Sequence, residues 1–272
     1  MEYRQKTYRN LRLKYPFLTI AGLALAVFLL GIGIAALFGA RDTNITLSDG
    51  EQIRFTGLFD KEGNPISGTI YYANGLSAEI DLEAGKVTYS DGTVFLGKLD
   101  ADYRRSGQGS ITWKNGDSYE GEFVSDKLSG NGVYTFQSGD VYEGEFVDGK
   151  KHGKGKYTAF DGSYYEGEFE NDLRHGKGKL VTSDGGVYEG DFVKGIKSGY
   201  GIYAYPNGDS YEGEFKGDLR HGSGKYVWAN GETYTGEFAE GNMNGYGTYT
   251  WPEGRPSYTG YFKNGEIVVV DD

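Results

Sequence analysis

Residues 209–231 read DSYEGEFKGDLRHGSGKYVWANG, and the phrase inside them that begins at Tyr211 returns throughout the chain. The phrase takes the forms YEGEF, YEGDF, YTGEF and YTGYF, and successive copies are 23 residues apart, with one final step of 24. The copies begin at Tyr119, Tyr142, Tyr165, Tyr188, Tyr211, Tyr234 and Tyr258. A fixed period of this length predicts a repeat array, in which each small unit stacks on its neighbours.

Aromatic and charged residues alternate within each copy. Tyr211, Gly213 and Phe215 fall on one face of a predicted strand. Glu212 and Glu214 fall on the other face, which is the period of a half-buried β-strand. The segment KGDLR supplies turn residues, and a second alternating strand follows before an Asn-Gly turn. Each copy is therefore predicted to form one β-hairpin, and the array one antiparallel meander.

Glycine is abundant, with 46 residues in the chain, and it stands beside Tyr or Phe on the aromatic face. Glycine inside a strand weakens it unless another group needs the space. We therefore expect the aromatic rings to lie flat over neighbouring strands where no Cβ stands up. On the opposite face we expect the Glu residues to meet lysines across strands, with the candidates Lys154, Lys156, Lys177, Lys179 and Lys225.

The second half of the repeat carries a family resemblance. The phrases DLRHGKGKLVTSDG from Asp172 and DLRHGSGKYVWANG from Asp218 complete a motif of YEGEF, a short turn and HGxGxxxxxxG. This motif resembles the MORN (membrane occupation and recognition nexus) repeat family from about residue 92 to residue 262. The resemblance implies an all-β fold, an elongated single-layer antiparallel array of β-hairpins. The expected segments are degenerate repeats over 55–99, regular repeats over 100–265 and a C-terminal cap strand over 266–272.

An uncharged segment precedes the repeats. Residues 17–39 read FLTIAGLALAVFLLGIGIAALFG, which is long enough to span a bilayer as one α-helix, and we expect a single-pass transmembrane helix there. A cleaved signal peptide is the alternative. Residues 1–16 carry five basic residues, so the positive-inside rule predicts a cytoplasmic N-terminus and extracytoplasmic repeats at the plasma membrane. Residues 40–54 are either a stalk or the start of the first repeat.

The charge of the chain limits its partners. The formal net charge is −11. Because the first 40 residues carry five basic residues and one acidic residue, a net of +4, the remainder carries −15. Such a domain repels nucleic acid unless the sign reverses locally, and we expect no nucleic-acid partner. The chain has no cysteine, hence no disulfide framework, which favours a bacterial source.

The sequence gives little support for any catalytic residue. His152, His175 and His221 share one repeat position, and other copies carry Ser or Asn there, so we predict a turn role for them. The Glu-x-Glu pairs are interpreted as a solvated face that meets lysines. The sequence offers no nucleophile–base pair and no glycine-rich phosphate loop. We therefore expect no catalytic residues, no cofactor, no metal site and no enzyme activity.

The aromatic face is the one candidate functional surface. One interpretation is that its rings pack on one another and supply the core. The other is that part of the face binds a partner, since contiguous exposed aromatic residues mark interaction sites. The candidate partner-binding residues are Tyr119, Phe123, Tyr142, Phe146, Tyr165, Phe169, Tyr188, Phe192, Tyr211, Phe215, Tyr234, Phe238, Trp228 and Trp251.

The C-terminal strand is a candidate edge for self-association. Val268, Val269 and Val270 favour β-structure and stand at the end of the predicted sheet. An open apolar edge pairs readily with another chain, so we expect a homodimer as one mode of assembly.

Three functions remain open from the sequence. The first is a non-enzymatic, membrane-anchored scaffold that binds a protein partner in cell-envelope assembly or cell division. The second is a module that binds cell-wall glycan by stacking aromatic rings on sugars. The third is a tether with its repeats in the cytoplasm, which requires the reverse orientation in the membrane.

Overall fold

The computed structural model describes residues 40–268. The predicted membrane helix at residues 17–39 lies outside the described residues, as do Val269 and Val270. The chain divides into two compact units, of which the first ends at Ser90 and the second begins at Asp91. Between residues 40 and 268 no helix has the length and apolar character needed to cross a bilayer.

The first unit is an antiparallel meander, in which each strand pairs with the next one along the chain. Ile53, Phe55 and Ile70 are fully buried in it. The stretch 40–54 contains the first strand and its turn into the second. The strands are β1 (Arg41–Thr46), β2 (Gln52–Phe59), β3 (Pro65–Tyr71), β4 (Ser77–Asp81) and β5 (Lys86–Tyr89).

The second unit continues the same antiparallel pattern through the regular repeats. Its strands are β6 (Val94–Leu99), β7 (Arg105–Thr112), β8 (Ser118–Val124), β9 (Lys127–Thr135), β10 (Val141–Val147), β11 (Lys150–Thr158), β12 (Tyr164–Glu170), β13 (Leu173–Val181), β14 (Val187–Val193), β15 (Ile196–Ala204), β16 (Ser210–Lys216), β17 (Leu219–Val227), β18 (Thr233–Ala239), β19 (Asn242–Thr250), β20 (Tyr258–Lys263) and β21 (Glu266–Ile267). The predicted all-β array of antiparallel hairpins is confirmed.

Each regular hairpin closes on a two-residue turn with positive φ at both positions. In the turn between β12 and β13, Asn171 has φ 49° and Asp172 has φ 72°. This backbone is that of a type I′ turn, whose twist matches the twist of the flanking strands. The second turn position alternates between Asp and Gly over six hairpins and is Gly again in the last one. The residues there are Asp126, Gly149, Asp172, Gly195, Asp218, Gly241 and Gly265.

Glycine makes room for the aromatic rings, as the sequence predicts. Gly144 of β10 lies opposite Gly155 of β11 in the strand register. The Tyr142 side chain lies over both, because a Cβ at Gly155 would come within 2.4 Å of the Tyr142 hydroxyl oxygen. The tyrosine ring therefore packs directly on the backbone of the paired glycines.

A β-bulge follows the glycine pair in each regular hairpin. Gly144 pairs with Gly155, yet Glu145 pairs with His152, so Lys154 belongs to a bulged segment of β11. The N–H of Lys154 donates to Glu145 Oε1 at 2.9 Å. The glutamate therefore satisfies a backbone donor that the bulge removes from the strand ladder.

The histidines lie at this bulge. His152 is in strand β11 and not in a turn, so the predicted turn role is wrong in its location. The Tyr142 hydroxyl donates to the carbonyl oxygens of Glu145 at 3.0 Å and His152 at 3.4 Å. The histidine backbone is thus fixed by the tyrosine of its own hairpin, while the imidazole remains on the side of the glutamates.

Candidate partner-binding face

The twelve Tyr and Phe residues of the YEGEF-type phrases from Tyr119 to Phe238 form a continuous ladder of rings. We call these twelve residues the core ladder. Their side chains are 0–5% exposed. Successive rings meet edge to face with centroids 5.0–5.2 Å apart, a favourable geometry for aromatic pairs. These rings are the core, so the accessible part of the predicted partner-binding face consists of other residues.

A second set of rings lies beside the core ladder on the same face. It comes from the second strand of each hairpin and from the loop that follows. Most of its rings are partly exposed, and we call the set the half-buried row. Its members are Trp113, Tyr134, Phe136, Tyr157, Tyr203, Tyr205, Tyr226, Trp228, Tyr249 and Trp251. Trp228 and Trp251, two of the predicted partner-binding residues, belong to this row.

The half-buried row is made of rings in contact. Trp228 lies between Tyr226 at 4.7 Å and Tyr249 at 5.1 Å, measured between ring centroids, and is tilted against both rings. Phe136 lies 4.5 Å from Tyr134. Such contacts, within and between hairpins, form two runs of rings, one from Trp113 to Tyr157 and one from Tyr203 to Trp251.

The half-buried row has a gap in its middle. Ala159, Leu180 and Thr182 occupy the positions that aromatic residues fill in the other repeats. A groove of about 490 Å³ opens there, with Phe136 at one side and Arg174 at the other. The smaller side chains leave this volume unfilled, and it exceeds the cavity of about 190 Å³ beside Tyr134 on the same face.

Carboxylate clamps hold four tyrosines of the half-buried row in place, namely Tyr134, Tyr157, Tyr226 and Tyr249. The hydroxyl of Tyr157 donates to Asp140 Oδ2 at 2.5 Å, and the backbone N–H of Phe160 donates to the other carboxylate oxygen. The Tyr157 hydrogen bond, followed by the Phe160 N–H, lowers the pKa of Asp140. Burial, followed by this hydrogen bond, raises the pKa of Tyr157 to about 12. The clamp thus orients the ring and keeps its hydroxyl protonated.

Cations stand at one repeat position on the same face, between the two sets of rings. We call Lys151, Arg174, Lys197 and Arg220 the cation row. Lys151 Nζ lies 5.1 Å from the ring centroid of Tyr157, and Arg220 Cζ lies 4.6 Å from that of Tyr226, distances at which cation–π attraction operates. Burial lowers the pKa of Lys151 and of Lys197. The acidic chain therefore has a local positive row on its aromatic face.

The opposite face is polar and mixed in charge. Lys179 Nζ lies 2.6 Å from Glu189 Oε1, and Lys177 Nζ lies 2.7 Å from Asp191 Oδ1, as the cross-strand pairing predicts. Between residues 40 and 268 no group of three or more His, Cys, Asp or Glu side chains has the arrangement of a metal site. Glutamates recur at one repeat position of this face, and lysines of the neighbouring strands pair with several of them.

The predicted self-association edge is only partly within the described residues. Val268 follows β21, is 36% exposed, and its N–H donates to the carbonyl of Tyr261 at 2.9 Å. Val269 and Val270 lie outside the described residues. The homodimer stays a prediction.

Sequence reasoning treated the tyrosines and cations of the second strand as secondary. The signal that identifies them is the 17-residue separation between each carboxylate and its tyrosine, as in Asp209 with Tyr226 and Asp117 with Tyr134. Ser163 has no carboxylate and Leu180 is in the tyrosine position, whereas Tyr203 is present although Gly186 lies 17 residues before it. Pairwise co-occurrence at this spacing therefore marks four tyrosines of the half-buried row and not Tyr203.

Comparison with solved structures returned matches of low identity and low TM-score. The wild-type TCP10 domain of Danio rerio CPAP matches with 12% identity and a TM-score of 0.36, over 72% of this chain and 94% of that one. The same domain in complex with a peptide of Danio rerio STIL matches with 13% identity and a TM-score of 0.37, over 82% of this chain and 100% of that one. The SAS-4 (dCPAP) TCP domain of Drosophila melanogaster, in complex with a proline-rich motif of Ana2 (dSTIL), matches with 16% identity and a TM-score of 0.29, over 53% of this chain and 85% of that one.

Comparison with curated protein sequences gave no match. Comparison with family models gave one family, described as the MORN repeat, in seven consecutive segments. The segments are residues 102–118, 119–141, 142–164, 165–187, 188–210, 211–233 and 234–254. They cover more than half of the chain, and their boundaries follow the 23-residue period of the hairpins. The chain therefore belongs to the MORN repeat family.

Proposed function

We propose that this MORN repeat protein is a non-enzymatic scaffold that binds a protein partner on its aromatic face. Residues 17–39 anchor it in the plasma membrane, and the repeats act outside the cytoplasm in envelope assembly or cell division. The observation that carries the proposal is the half-buried row, two runs of partly exposed rings with a groove of about 490 Å³ between them. Partly exposed Tyr and Trp rings are the residues that contribute most to binding at protein interfaces.

The architecture supports a binding role more than a catalytic one. The core ladder is buried and holds the strands, so it fixes the position of the half-buried row without contacting a partner. The row extends over several repeats, and four of its tyrosines are already ordered by the carboxylate clamps. Preordered side chains lose little entropy on binding, which favours affinity.

Affinity purification from cells tests the proposal. The full-length tagged chain is captured after in-cell cross-linking, in three forms: unmodified, with Trp228→Ala, and with Tyr200→Ala. Tyr200 is 51% exposed on the opposite face, so it is the matched aromatic control. The proposal predicts that Trp228→Ala, but not Tyr200→Ala, depletes the same envelope or division proteins. Equal recovery with all three forms would contradict it.

Glycan binding is the second candidate, because the partly exposed indoles of Trp228 and Trp251 have the shape that stacks on sugar rings. Sedimentation of the full-length chain with purified cell-wall material separates the two functions. Retention that depends on Trp228 in the absence of other proteins would favour glycan. The orientation is tested independently, since protease added to intact cells digests the repeats only if they face outwards.

A further inference from the structure

Each member of the cation row lies opposite a residue of the next hairpin turn. This turn residue is acidic for the lysines and glycine for the arginines. Twenty-one residues after Lys151, Asp172 accepts the Lys151 backbone N–H, and Asp218 does the same for Lys197. The turn residues opposite Arg174 and Arg220 are glycines. An acidic and a neutral neighbour therefore alternate along the cation row.

The arginines lack a carboxylate partner. Arg174 donates to the carbonyl of Gly195 at 2.8 Å, and Arg220 donates to the carbonyl of Gly241 at 2.6 and 3.1 Å. Neither guanidinium forms an ion pair within the part of the chain that the structure describes. The contrast is Arg105, at the same repeat position, whose Nε lies 2.8 Å from Asp126 Oδ1.

One acidic residue, Asp209, lies near Arg220 but forms no ion pair with it. Asp209 has a lowered pKa, for which the hydrogen bond from Tyr226 is the largest cause and Arg220 the smallest. Its two carboxylate oxygens accept the Tyr226 hydroxyl and the Ala229 N–H. The carboxylate is therefore committed to the clamp, and the guanidinium retains N–H donors for another acceptor.

The spacing of the cation row has the period of an extended peptide. Adjacent strands lie about 4.8 Å apart, so equivalent residues of successive hairpins are about 9.6 Å apart. A polyproline II helix has three residues per turn and rises about 3.1 Å per residue, so every third side chain returns to one face after about 9.3 Å. A peptide that runs across the strands in this conformation presents one residue in three to the cation row.

The surroundings suit such a peptide. The groove beside Arg174 is lined by Tyr157, Leu180 and the edge of Tyr165, so apolar residues of the peptide meet rings while acidic ones meet cations. Polyproline II segments commonly dock in grooves lined by aromatic residues, because the conformation is already ordered before binding. Arg174 and Arg220 are two hairpins apart, which corresponds to about six residues of this helix.

We infer that the aromatic face binds an acidic segment of the partner in polyproline II conformation, with carboxylates at every third residue, and that Arg174 and Arg220 are the two anchoring cations. This inference rests on the proposed function, since it names the chemistry of the partner at the same face. It also predicts selectivity for charge, since a neutral or basic segment of the same conformation binds more weakly than an acidic one.

Synthetic peptides test the inference on the full-length chain in detergent. Fluorescent peptides of repeated Pro-Pro-Glu, Pro-Pro-Gln and Pro-Pro-Lys are titrated, and binding is followed by anisotropy. A peptide with Glu at every fourth position, and otherwise proline, is the spacing control. We expect the Pro-Pro-Glu peptide to bind about tenfold more tightly than each of the others, with an affinity that falls as salt is added.

Two kinds of variant connect binding to the arginines. Arg174→Gln and Arg220→Gln each remove one charge, whereas Gly195→Asp keeps the arginine and supplies the carboxylate that other repeats have at that turn. Asp adopts the same left-handed backbone at Asp126, Asp172 and Asp218, and a Cβ at Gly195 meets no atom within 4 Å, so the side chain has space. The φ of 87° at Gly195 strains the new residue, and Gly149, with a φ of 82°, carries the same strain. We expect each of the three variants to weaken Pro-Pro-Glu binding about tenfold.

Gly149→Asp is the matched control. It places the same charge in the same type of turn, also with no atom within 4 Å of the new Cβ, but opposite Leu128 and not opposite an arginine. We expect it to leave binding within about twofold of the unmodified chain. Equal weakening by Gly149→Asp and Gly195→Asp would overturn the role of Arg174.

The outcomes separate this inference from the proposed function. Equal binding of the Glu and Gln peptides would overturn the acidic assignment while leaving an aromatic docking face intact. Absence of binding by every peptide at millimolar concentration would also overturn the inference. The proposed function would then still be decided by whether Trp228→Ala removes protein partners in cells.

Discussion

The hydroxyl of Tyr226 donates a hydrogen bond of 2.5 Å to Oδ2 of Asp209, seventeen residues earlier in the same hairpin. The other carboxylate oxygen accepts the N–H of Ala229 in the following loop. One side chain thus holds the second strand, the loop after it and a ring of the half-buried row. The same clamp recurs at other repeats, so it links the repeat period to the order of the candidate binding face.

Removing the hydroxyl of this clamp should loosen one hairpin without opening the core. We predict that Tyr226→Phe lowers the free energy of unfolding by about 1.5–3 kcal/mol, because a hydrogen bond to a charged acceptor is lost while the ring is kept. Chemical denaturation of the full-length chain measures it. The matched control is Tyr261→Phe, whose ring is 56% exposed on the other face and which should change stability little.

Low pH should weaken the carboxylate–tyrosine hydrogen bonds of several clamps at once, because it protonates their carboxylates. Hydrogen bonds from Tyr226, Tyr157 and Tyr249 are the largest causes that lower the pKa values of Asp209, Asp140 and Glu232. A carboxylate with a lowered folded pKa contributes stability that is present above its unfolded value, near 3.8 for Asp, and is lost as the pH falls through the folded value.

We therefore predict that the thermal midpoint is insensitive to these carboxylates at neutral pH and falls below about pH 4. Circular dichroism melts across this range measure the fall. A variant with Asp140→Asn, which has no titrating group at that clamp, should show a shallower dependence. If the thermal midpoint of this variant depended on pH as steeply as that of the unmodified chain, the clamp would not stabilise the fold through its charge.

High pH should also destabilise the fold, through ionisation of the tyrosines in the same clamps. Burial is the main cause that raises the pKa of Tyr157, Tyr226 and Tyr249 to about 12, above the ordinary value of 10.0. The unfolded chain therefore loses these protons first, and stability present below pH 10 declines as the pH rises towards 12. Tyrosinate absorbance should rise together with loss of the strand signal, whereas ionisation in an intact fold would contradict the account.

The paired glycines should tolerate no side chain. We predict that Gly155→Ala destabilises the chain by about 1–3 kcal/mol or more, because its Cβ would overlap the ring of Tyr142. The new atom would lie 2.4 Å from the Tyr142 hydroxyl oxygen. Lys156→Ala, one residue away on the opposite face, is the control and should change stability by less than about 0.5 kcal/mol. Similar melting of both variants would contradict the close approach.

The sequence predicted the parts of this fold that depend on periodicity. The alternation of Tyr211, Gly213 and Phe215 indicated the buried face, and the structure buries Tyr211 and Phe215 while the glycine lies under the ring. The bulge at His152 escaped prediction, because alternation in β11 continues on both sides of it and only the register with β10 shows the shift.

The candidate site was predicted only in part. Period and composition identify an aromatic face, but they do not distinguish a ring with no exposure, such as Tyr142, from a partly exposed ring such as Phe136. That difference arises from packing between neighbouring hairpins. The alternation of Asp and Gly opposite the cation row is visible in the sequence, yet its meaning depends on contacts between residues 21 positions apart.

The decisive measurement is site-specific photo-cross-linking in cells. A photoreactive phenylalanine replaces Phe136, at the edge of the groove, and in a second strain replaces Tyr200 on the opposite face. We predict that irradiation joins a protein partner to position 136 and not to position 200. Cross-links at position 200 alone, or equally at both positions, would contradict the assignment of the aromatic face as the binding surface.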